Sequence, residues 1–167
     1  MVIGQHLSAV DAVSIHAFGS ADLPWAEQLV NAGFGGRLQA RRGELIDALG
    51  CPGLVAERGG MPVGVLTYQM NDSEAEIVYI EATEKLTGVG SALLDRFLSM
   101  ASGRRVWLVT TNDNLDALRF YQRRGFVISQ FRRGAVDNAR RTLKPQIASV
   151  GDFGIPVHDE LELEYFA

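Results

Sequence analysis

The stretch from Glu76 to Phe126 constrains the fold of this chain more than any other part. It contains, in order, an alternating apolar run, a glycine turn that opens a helix, a second apolar run and a second helix. Strand, helix, strand and helix in this order build a right-handed crossover with two neighbouring parallel strands. We therefore expect an α/β core in this half of the chain.

Length and composition predict a single domain. The chain has 167 residues, 47% of them hydrophobic and 22% charged, which is ordinary for one globular core. The formal net charge of -4 disfavours a general nucleic-acid binder. No run approaches the roughly 18 apolar residues of a membrane span, and no signal peptide is evident. One cysteine and no zinc-like spacing predict no metal site, so we expect a cytoplasmic protein without nucleic-acid, membrane or metal partners.

The residues on either side of the central stretch also carry element signals. Asp22 is a candidate helix N-cap, with Pro24 in the first turn of that helix. Strands are expected at 13–18, 37–41, 54–57, 63–70, 74–82, 106–110, 126–131 and 161–166, and helices at 25–32, 88–100, 114–124 and 135–143, with one or two helical turns at 44–49. The single domain would span 1–167, with a loose lead-in at 1–12 and an insertion at 134–157 before the last strand.

The first motif is the glycine turn between a predicted strand and a predicted helix. It reads Lys85-Leu-Thr-Gly88-Val-Gly90-Ser91. Glycines let the backbone approach a ligand closely, and a helix start presents unpaired N–H groups and the positive end of the helix dipole. This favours a phosphate or pyrophosphate site. The spacing fits neither GxGxxG nor the ATP-binding loop, and a tight packing turn is the structural alternative.

The second motif lies on the helix that follows. Asn114 is placed to cap that helix, and Tyr121 follows Phe120 near the helix end. A phenol with a pKa near 10 is a poor base at neutral pH but a competent proton donor to a leaving thiolate. Half-buried packing is the alternative role for such a tyrosine.

Together the two motifs resemble the GNAT superfamily of acyl-CoA-dependent N-acetyltransferases. KLTGVG is similar to the family's pyrophosphate loop at both glycines, and NLDALRFYQRRGF is similar to its second signature. Lys85 stands where the family usually has Gln or Arg, and Thr87 replaces a frequent basic residue. The resemblance covers roughly 13–131 and a last strand, and the C-terminal tail resembles that of a bacterial subgroup whose substrates are unassigned.

This resemblance implies both a fold and a site for acetyl-CoA as co-substrate. The fold is α/β (α+β), with a central mixed, mostly antiparallel sheet of six to seven strands, splayed between the fourth and fifth strands and flanked by about four helices. The pantetheine arm would pair with the fourth strand and the pyrophosphate would take N–H groups from the turn. The implied cofactor-binding residues are Ile80, Glu81, Ala82, Lys85, Leu86, Thr87, Gly88, Val89, Gly90, Ser91, Asn114 and Tyr121.

The resemblance also implies a reaction. An acetyl group would move from acetyl-CoA to a primary amine of a small molecule or protein by direct attack, and Tyr121 would protonate the leaving thiolate. The alternative is a catalytically weak acyl-CoA-binding sensor or partner-docking module. The differences from the family's usual residues at Lys85 and Thr87 are compatible with this alternative.

Two carboxylates are candidates for the base that deprotonates the amine. Glu76 and Glu81 lie on the fourth strand, and a regular strand would place them on opposite faces. A solvated strand residue is the alternative role for each.

The C-terminal part separates basic from acidic residues. We expect mutual neutralisation within the fold or across a homodimer, or else an arginine that holds an acidic substrate group or the CoA 3′-phosphate. The basic residues are Arg132, Arg133, Arg140, Arg141 and Lys144, and the acidic ones are Asp152, Asp159, Glu160, Glu162 and Glu164.

Overall fold

The computed structural model describes residues 12–33 and 35–166, so most of the predicted lead-in lies outside the described residues. The described strands are β1 (Val13–Ala17), β2 (Leu38–Arg41), β3 (Glu44–Asp47), β4 (Gly53–Arg58), β5 (Met61–Met70), β6 (Glu74–Ala82), β7 (Arg105–Thr111), β8 (Val127–Arg132) and β9 (Glu160–Phe166). The described helices are α1 (Leu23–Ala32), α2 (Val89–Met100), α3 (Leu115–Gln122) and α4 (Ala135–Thr142), with 3₁₀ turns at Ala48–Gly50 and Asp152–Gly154.

The main sheet opens in its middle. Its seven strands run in the order β1-β4-β5-β6-β7-β9-β8, and β6 and β7 are its parallel pair among antiparallel neighbours. These two strands pair only from Glu74 with Arg105 to Glu76 with Trp107. Beyond that point they part, so most of β6 faces an opening. The predicted mixed sheet, splayed between its fourth and fifth strands, is confirmed.

Strand β6 carries a β-bulge. Tyr79 pairs with Thr67 of β5 and Ile77 pairs with Tyr68, so Val78 is an extra residue without its own partner. Because side chains alternate between faces, one extra residue moves every later side chain to the other face. Glu76 and Glu81 therefore share a face of the sheet. Their predicted placement on opposite faces, which assumed a regular strand, was wrong.

The two faces of the sheet are covered by different elements. The apolar stripe of α2, with Leu93 and Phe97 fully buried, packs on one face and forms the main core. On the other face α1 packs through Ala26 and Val30, with Tyr79 of β6 against them. We call this second side, which also carries Glu76 and Glu81, the acidic face of β6.

Two local predictions were wrong. The segment predicted as a helical turn at 44–49 is largely strand β3, which pairs with β2 through a two-residue turn. Arg42 and Gly43 have φ values of 52° and 77°, as a type I′ hairpin turn requires. Asp22 stands at the N-cap position of α1 but does not cap it, because its carboxylate accepts instead from the N–H of Gly19 at 2.8 Å.

Candidate functional site

The opening between β6 and β7 brings the two sequence motifs together. β6 leads into the glycine turn and α2, and β7 leads into Asn114 and α3. Because β6 and β7 are parallel and part towards their C-terminal ends, both motifs flank the mouth of the opening. Beyond Glu76 the inner edge of β6, including Ile80, Glu81 and Ala82, is free of β7. An exposed strand edge can pair with an extended ligand.

The glycine turn is held in a conformation that leaves its backbone open. Gly88 has a φ of 82°, and apart from its chain neighbours and the backbone of α2 no atom of the described residues lies within 4 Å of the position a Cβ would take. The left-handed backbone is therefore what requires glycine there. Among the described residues, no side chain caps the first turn of α2. Leu86, also with positive φ, is 97% exposed. The turn can therefore offer N–H groups to an anion, as predicted for the segment from Lys85 to Ser91.

Two arginines that the sequence reasoning missed hold this turn. Arg124 donates to the hydroxyl of Ser91, and its guanidinium carbon lies 3.8 Å from the centroid of the Phe120 ring. Arg58 donates to the carbonyl oxygen of Thr87 at 3.1 Å. Arg124 could have been found, since it lies one helical turn after Phe120. Arg58 comes from β4 and carries no local signal.

Tyr121 lies near the C-terminal end of α3 and is part of the main core. Its ring centroid is 5.1 Å from that of Phe120 and 5.2 Å from that of Phe126, and the residue is 4% exposed. Burial raises the pKa of the Tyr121 phenol above its ordinary value, while Arg124 acts in the opposite direction. The phenol carries its proton at neutral pH, as a proton donor requires, and its raised pKa makes it a weaker acid than an exposed tyrosine.

Asn114 caps α3 as predicted. Its Oδ1 accepts from the backbone N–H of Ala117 at 3.1 Å. The carboxamide oxygen is thereby used, and the amide NH₂ group is what Asn114 can offer to a ligand.

The two candidate bases have different surroundings on the acidic face. Glu76 is buried, and both its oxygens accept from Arg41, at 2.8 and 3.0 Å. Burial acts to lower the pKa of Arg41, but the hydrogen bonds and the charge of Glu76 outweigh burial and raise that pKa. The Arg41 guanidinium therefore stays charged. Glu81 is half-buried and accepts from the hydroxyl of Tyr79. Burial and this hydrogen bond raise the pKa of Tyr79.

Two of the C-terminal basic residues pair with acids of the same chain. Arg132 pairs with Glu162 and lies 3.8 Å from Glu160, both of which are buried. Arg140 pairs with Asp137. Lys144 of the insertion instead donates to backbone carbonyls before and in β2, and burial lowers its pKa. Neutralisation within the fold, the first of the expected roles, therefore accounts for Arg132 and Arg140.

A cavity of about 290 Å³ lies on the acidic face where β6 and β7 part. Its lining residues are Arg41, Arg42, Glu44, Gln69, Glu76 and Trp107, and a second cavity of about 420 Å³ shares the last three. Among residues 12–33 and 35–166, no group of three His, Cys, Asp or Glu side chains is arranged to hold a metal ion. Within the same ranges, no helix has the length and apolar character to cross a membrane.

A sheet that opens between two parallel strands, beside a helix-opening glycine turn, is the arrangement expected of acyl-CoA-dependent acetyltransferases. The model of the acetyltransferase (GNAT) family matches residues 24–126, and the chain belongs to that family. It is 37% identical over 105 residues to the uncharacterized protein YdhI of Bacillus subtilis (strain 168). That match covers 61% of this chain and 65% of YdhI.

Solved structures share the fold. A GNAT family acetyltransferase from Elizabethkingia anophelis with acetyl-CoA bound superposes with a TM-score of 0.68 at 16% identity, covering 93% of this chain and 98% of that one. Arabidopsis thaliana Naa50, in complex with the bisubstrate analogue CoA-Ac-MVNAL, gives a TM-score of 0.66 at 17% identity, covering 93% and 99%. At these identities the likeness concerns the fold alone.

Proposed function

We propose that this protein transfers an acetyl group from acetyl-CoA to a primary amine of a small molecule or a protein. The observation that carries the proposal is the free inner edge of β6 directly before an uncapped helix start. The first can pair with an extended amide-bearing arm, and the second can bind a pyrophosphate. The Elizabethkingia relative binds acetyl-CoA on the same fold, which supports this choice of co-substrate.

The residues present fit acetyl-CoA. Ile80, Glu81 and Ala82 supply the strand edge for the pantetheine arm, and the segment from Lys85 to Ser91 supplies backbone N–H groups for the pyrophosphate. Asn114 follows β7, the strand on the other side of the opening, and its amide group can donate to the same arm. Arg58 and Arg124 hold the turn in place, and their charges favour an anion there. Acetyl-CoA supplies the activated thioester.

Tyr121 is the proposed acid. In direct transfer the amine nitrogen forms a bond to the acetyl carbon, the carbon–sulfur bond breaks, and the leaving thiolate takes a proton. A buried phenol with a raised pKa still carries that proton at neutral pH. The amine loses its own proton to a base.

The geometry favours Glu81 over Glu76 as that base. Both oxygens of Glu76 are held by Arg41, so accepting a proton would break a buried ion pair. Glu81 lies nearer the mouth of the opening and accepts only from Tyr79 among the described residues. Glu81, directly or through Tyr79 or water, is the better-placed acceptor.

The first test is Tyr121→Phe, measured as thiol release from acetyl-CoA with a panel of amines. We expect kcat to fall by roughly 10²–10⁴-fold, the usual contribution of an acid in the transition state. Tyr165→Phe is the matched control, because Tyr165 lies in the same aromatic cluster, with its ring centroid 5.3 Å from that of Phe126. Unchanged turnover in Tyr121→Phe would remove Tyr121 as the acid.

The same assay separates the enzyme from the alternative function. Tight binding of acetyl-CoA without turnover on any amine would favour an acyl-CoA-binding sensor or docking module. A homodimer also stays a prediction, but Arg132 and Arg140, two of the basic residues that suggested it, form their ion pairs within the chain.

A further inference from the structure

The cavity on the acidic face offers a site for a second part of the acceptor, beyond its amine. It adjoins Glu76 and Trp107, the residues at which β6 and β7 part. A ligand in it would therefore reach the point where the sheet opens. The inference rests on the proposed acetyl transfer, because it concerns the acceptor of that reaction.

One wall of the cavity is formed by a residue whose backbone is strained. Arg42 has a φ of 52° at the first position of the β2–β3 turn, where Asn, Asp or Gly are favoured. The turn geometry therefore gives no reason for an arginine. Such outliers point to a role of the side chain at a site.

The side chain of Arg42 lies over Trp107 at the cavity, and its guanidinium donates no hydrogen bond to any of the described residues. Its guanidinium carbon lies 4.7 Å from the centroid of the Trp107 ring, a cation–π contact that fixes the plane of the group. Its backbone N–H, not its guanidinium, donates to Glu160. The nearest carboxylate to its Nε is Glu162 at 3.9 Å, which already accepts from Arg105 and Arg132.

The other charges of the cavity wall are already compensated. Arg41 holds Glu76 with two hydrogen bonds and Glu44 with a third, at 3.0 Å. Among the described residues, Arg42 is thus the charged group of this wall whose guanidinium donors have no hydrogen-bonded acceptor, and its side chain is 44% exposed.

We propose that this cavity binds a carboxylate of the acceptor, and that Arg42 is the residue that recognises it. A planar guanidinium oriented by an aromatic ring matches a carboxylate with two parallel N–H···O bonds. The preferred substrates are then amines that carry a carboxylate group, such as amino acids.

The test compares substrates that differ only in that group. β-Alanine, γ-aminobutyrate and ε-aminocaproate are assayed against their amides, with the enzyme wild type, Arg42→Asn and Arg133→Asn. Asn accepts a positive φ and keeps the backbone N–H to Glu160, so Arg42→Asn should fold. Arg133 is exposed, does not line the cavity and serves as a matched control.

For the wild type and Arg133→Asn we expect kcat/KM to favour the acids by about tenfold or more, the effect of one charge-assisted hydrogen bond. Arg42→Asn should lose this preference through a higher KM for the acids. Equal rates for acids and amides across the series, or a preference that survives Arg42→Asn, would overturn the proposal while the acetyltransferase function stands.

A binding measurement covers the case in which no amine turns over. Calorimetric titration of the wild type and Arg42→Asn with N-acetyl-γ-aminobutyrate and its amide reports on the cavity without catalysis. Tighter binding of the acid by the wild type alone supports the carboxylate site. Equal affinities for the acid and the amide, or a preference for the acid that Arg42→Asn keeps, would contradict the carboxylate site, whatever the outcome for acetyl transfer.

Discussion

At the scale of single residues, Gly151 is the described glycine at which an added Cβ would have the least space. Asp113 follows β7, is buried, and accepts from the backbone N–H of Asp152 at 3.0 Å and from the hydroxyl of Thr111 at 2.5 Å. A Cβ on Gly151 would overlap Oδ2 of Asp113 and lie 2.7 Å from Cγ2 of Val157. This contact docks the insertion at 134–157 to the end of β7.

We therefore predict that Gly151→Ala destabilises the protein by about 1–3 kcal/mol, the usual cost of overpacking a tight site. In a domain of this length that lowers Tm by roughly 2–4 °C for each kcal/mol. Gly19→Ala is the control, because its Cβ would meet its nearest neighbour at an ordinary 3.7 Å. Thermal unfolding followed by circular dichroism checks both, and equal Tm values would contradict the prediction.

At the scale of elements, the bulge in β6 sets the chemistry of the site. The extra Val78 brings Glu76, Tyr79 and Glu81 onto one face, with the opening beside them. A regular strand would have put one of the two carboxylates into the apolar core under α2. The bulge therefore places both candidate bases on the side from which the acceptor would approach.

This arrangement predicts different pH dependence for two matched variants. Glu81→Gln should lower kcat/KM at pH 7 by about 10²-fold or more, with recovery as pH rises and the amine loses its proton unaided. Glu76→Gln should leave the shape of the pH–rate profile intact, because its carboxylate serves the ion pair with Arg41. If Glu76→Gln alone altered the pH–rate profile, Glu76 and not Glu81 would be the base.

The parts of the fold and of the site that could be predicted from the sequence were those with a local sequence signal. The roles of Gly88 and Asn114 as helix-opening residues follow from their own backbone and side-chain chemistry, and both were predicted. The β2–β3 hairpin was missed because an Arg-Gly turn lacks the Asn-Gly signature of a type I′ turn. The bulge at Val78 and the role of Arg58 depend on partners far along the chain.

At the scale of the whole molecule, the sheet has two unlike faces. One face carries a continuous apolar core that extends from α2 to Leu108 of β7 and Leu163 of β9. On the other face β9 buries two carboxylates, Glu160 and Glu162, between β7 and β8. Arg105 of β7 and Arg132 of β8 both donate hydrogen bonds to Glu162, while Nε of Arg42, in the β2–β3 turn, lies 3.9 Å from it without a hydrogen bond. Breaking one partner of such a buried network strongly destabilises a protein.

The two buried carboxylates should respond to pH in opposite directions. Burial acts to raise the pKa of Glu162, but hydrogen bonds from Arg132 and Arg105 outweigh it and lower the pKa. Its stabilising contribution is therefore present above the ordinary glutamate pKa of about 4.3 and is lost as pH falls through the folded-state pKa. Burial raises the pKa of Glu160, so its contribution is present below that ordinary value and is lost as pH rises through the folded-state pKa.

The last prediction follows from these signs. Glu162→Gln should lower Tm at pH 7 by about 2–4 °C or more, the shift that roughly 1 kcal/mol produces. This deficit should persist down to about pH 4 and shrink only at lower pH, as wild-type Glu162 becomes protonated. Glu160→Gln should behave oppositely, gaining on the wild type as pH rises above about 4, because it avoids a buried charge. Tm measured for the three proteins from about pH 2 to pH 7 decides it. Tm differences from the wild type that change in the same direction for both variants would contradict the prediction, because they would show that the pKa values of the two carboxylates are not shifted in opposite directions.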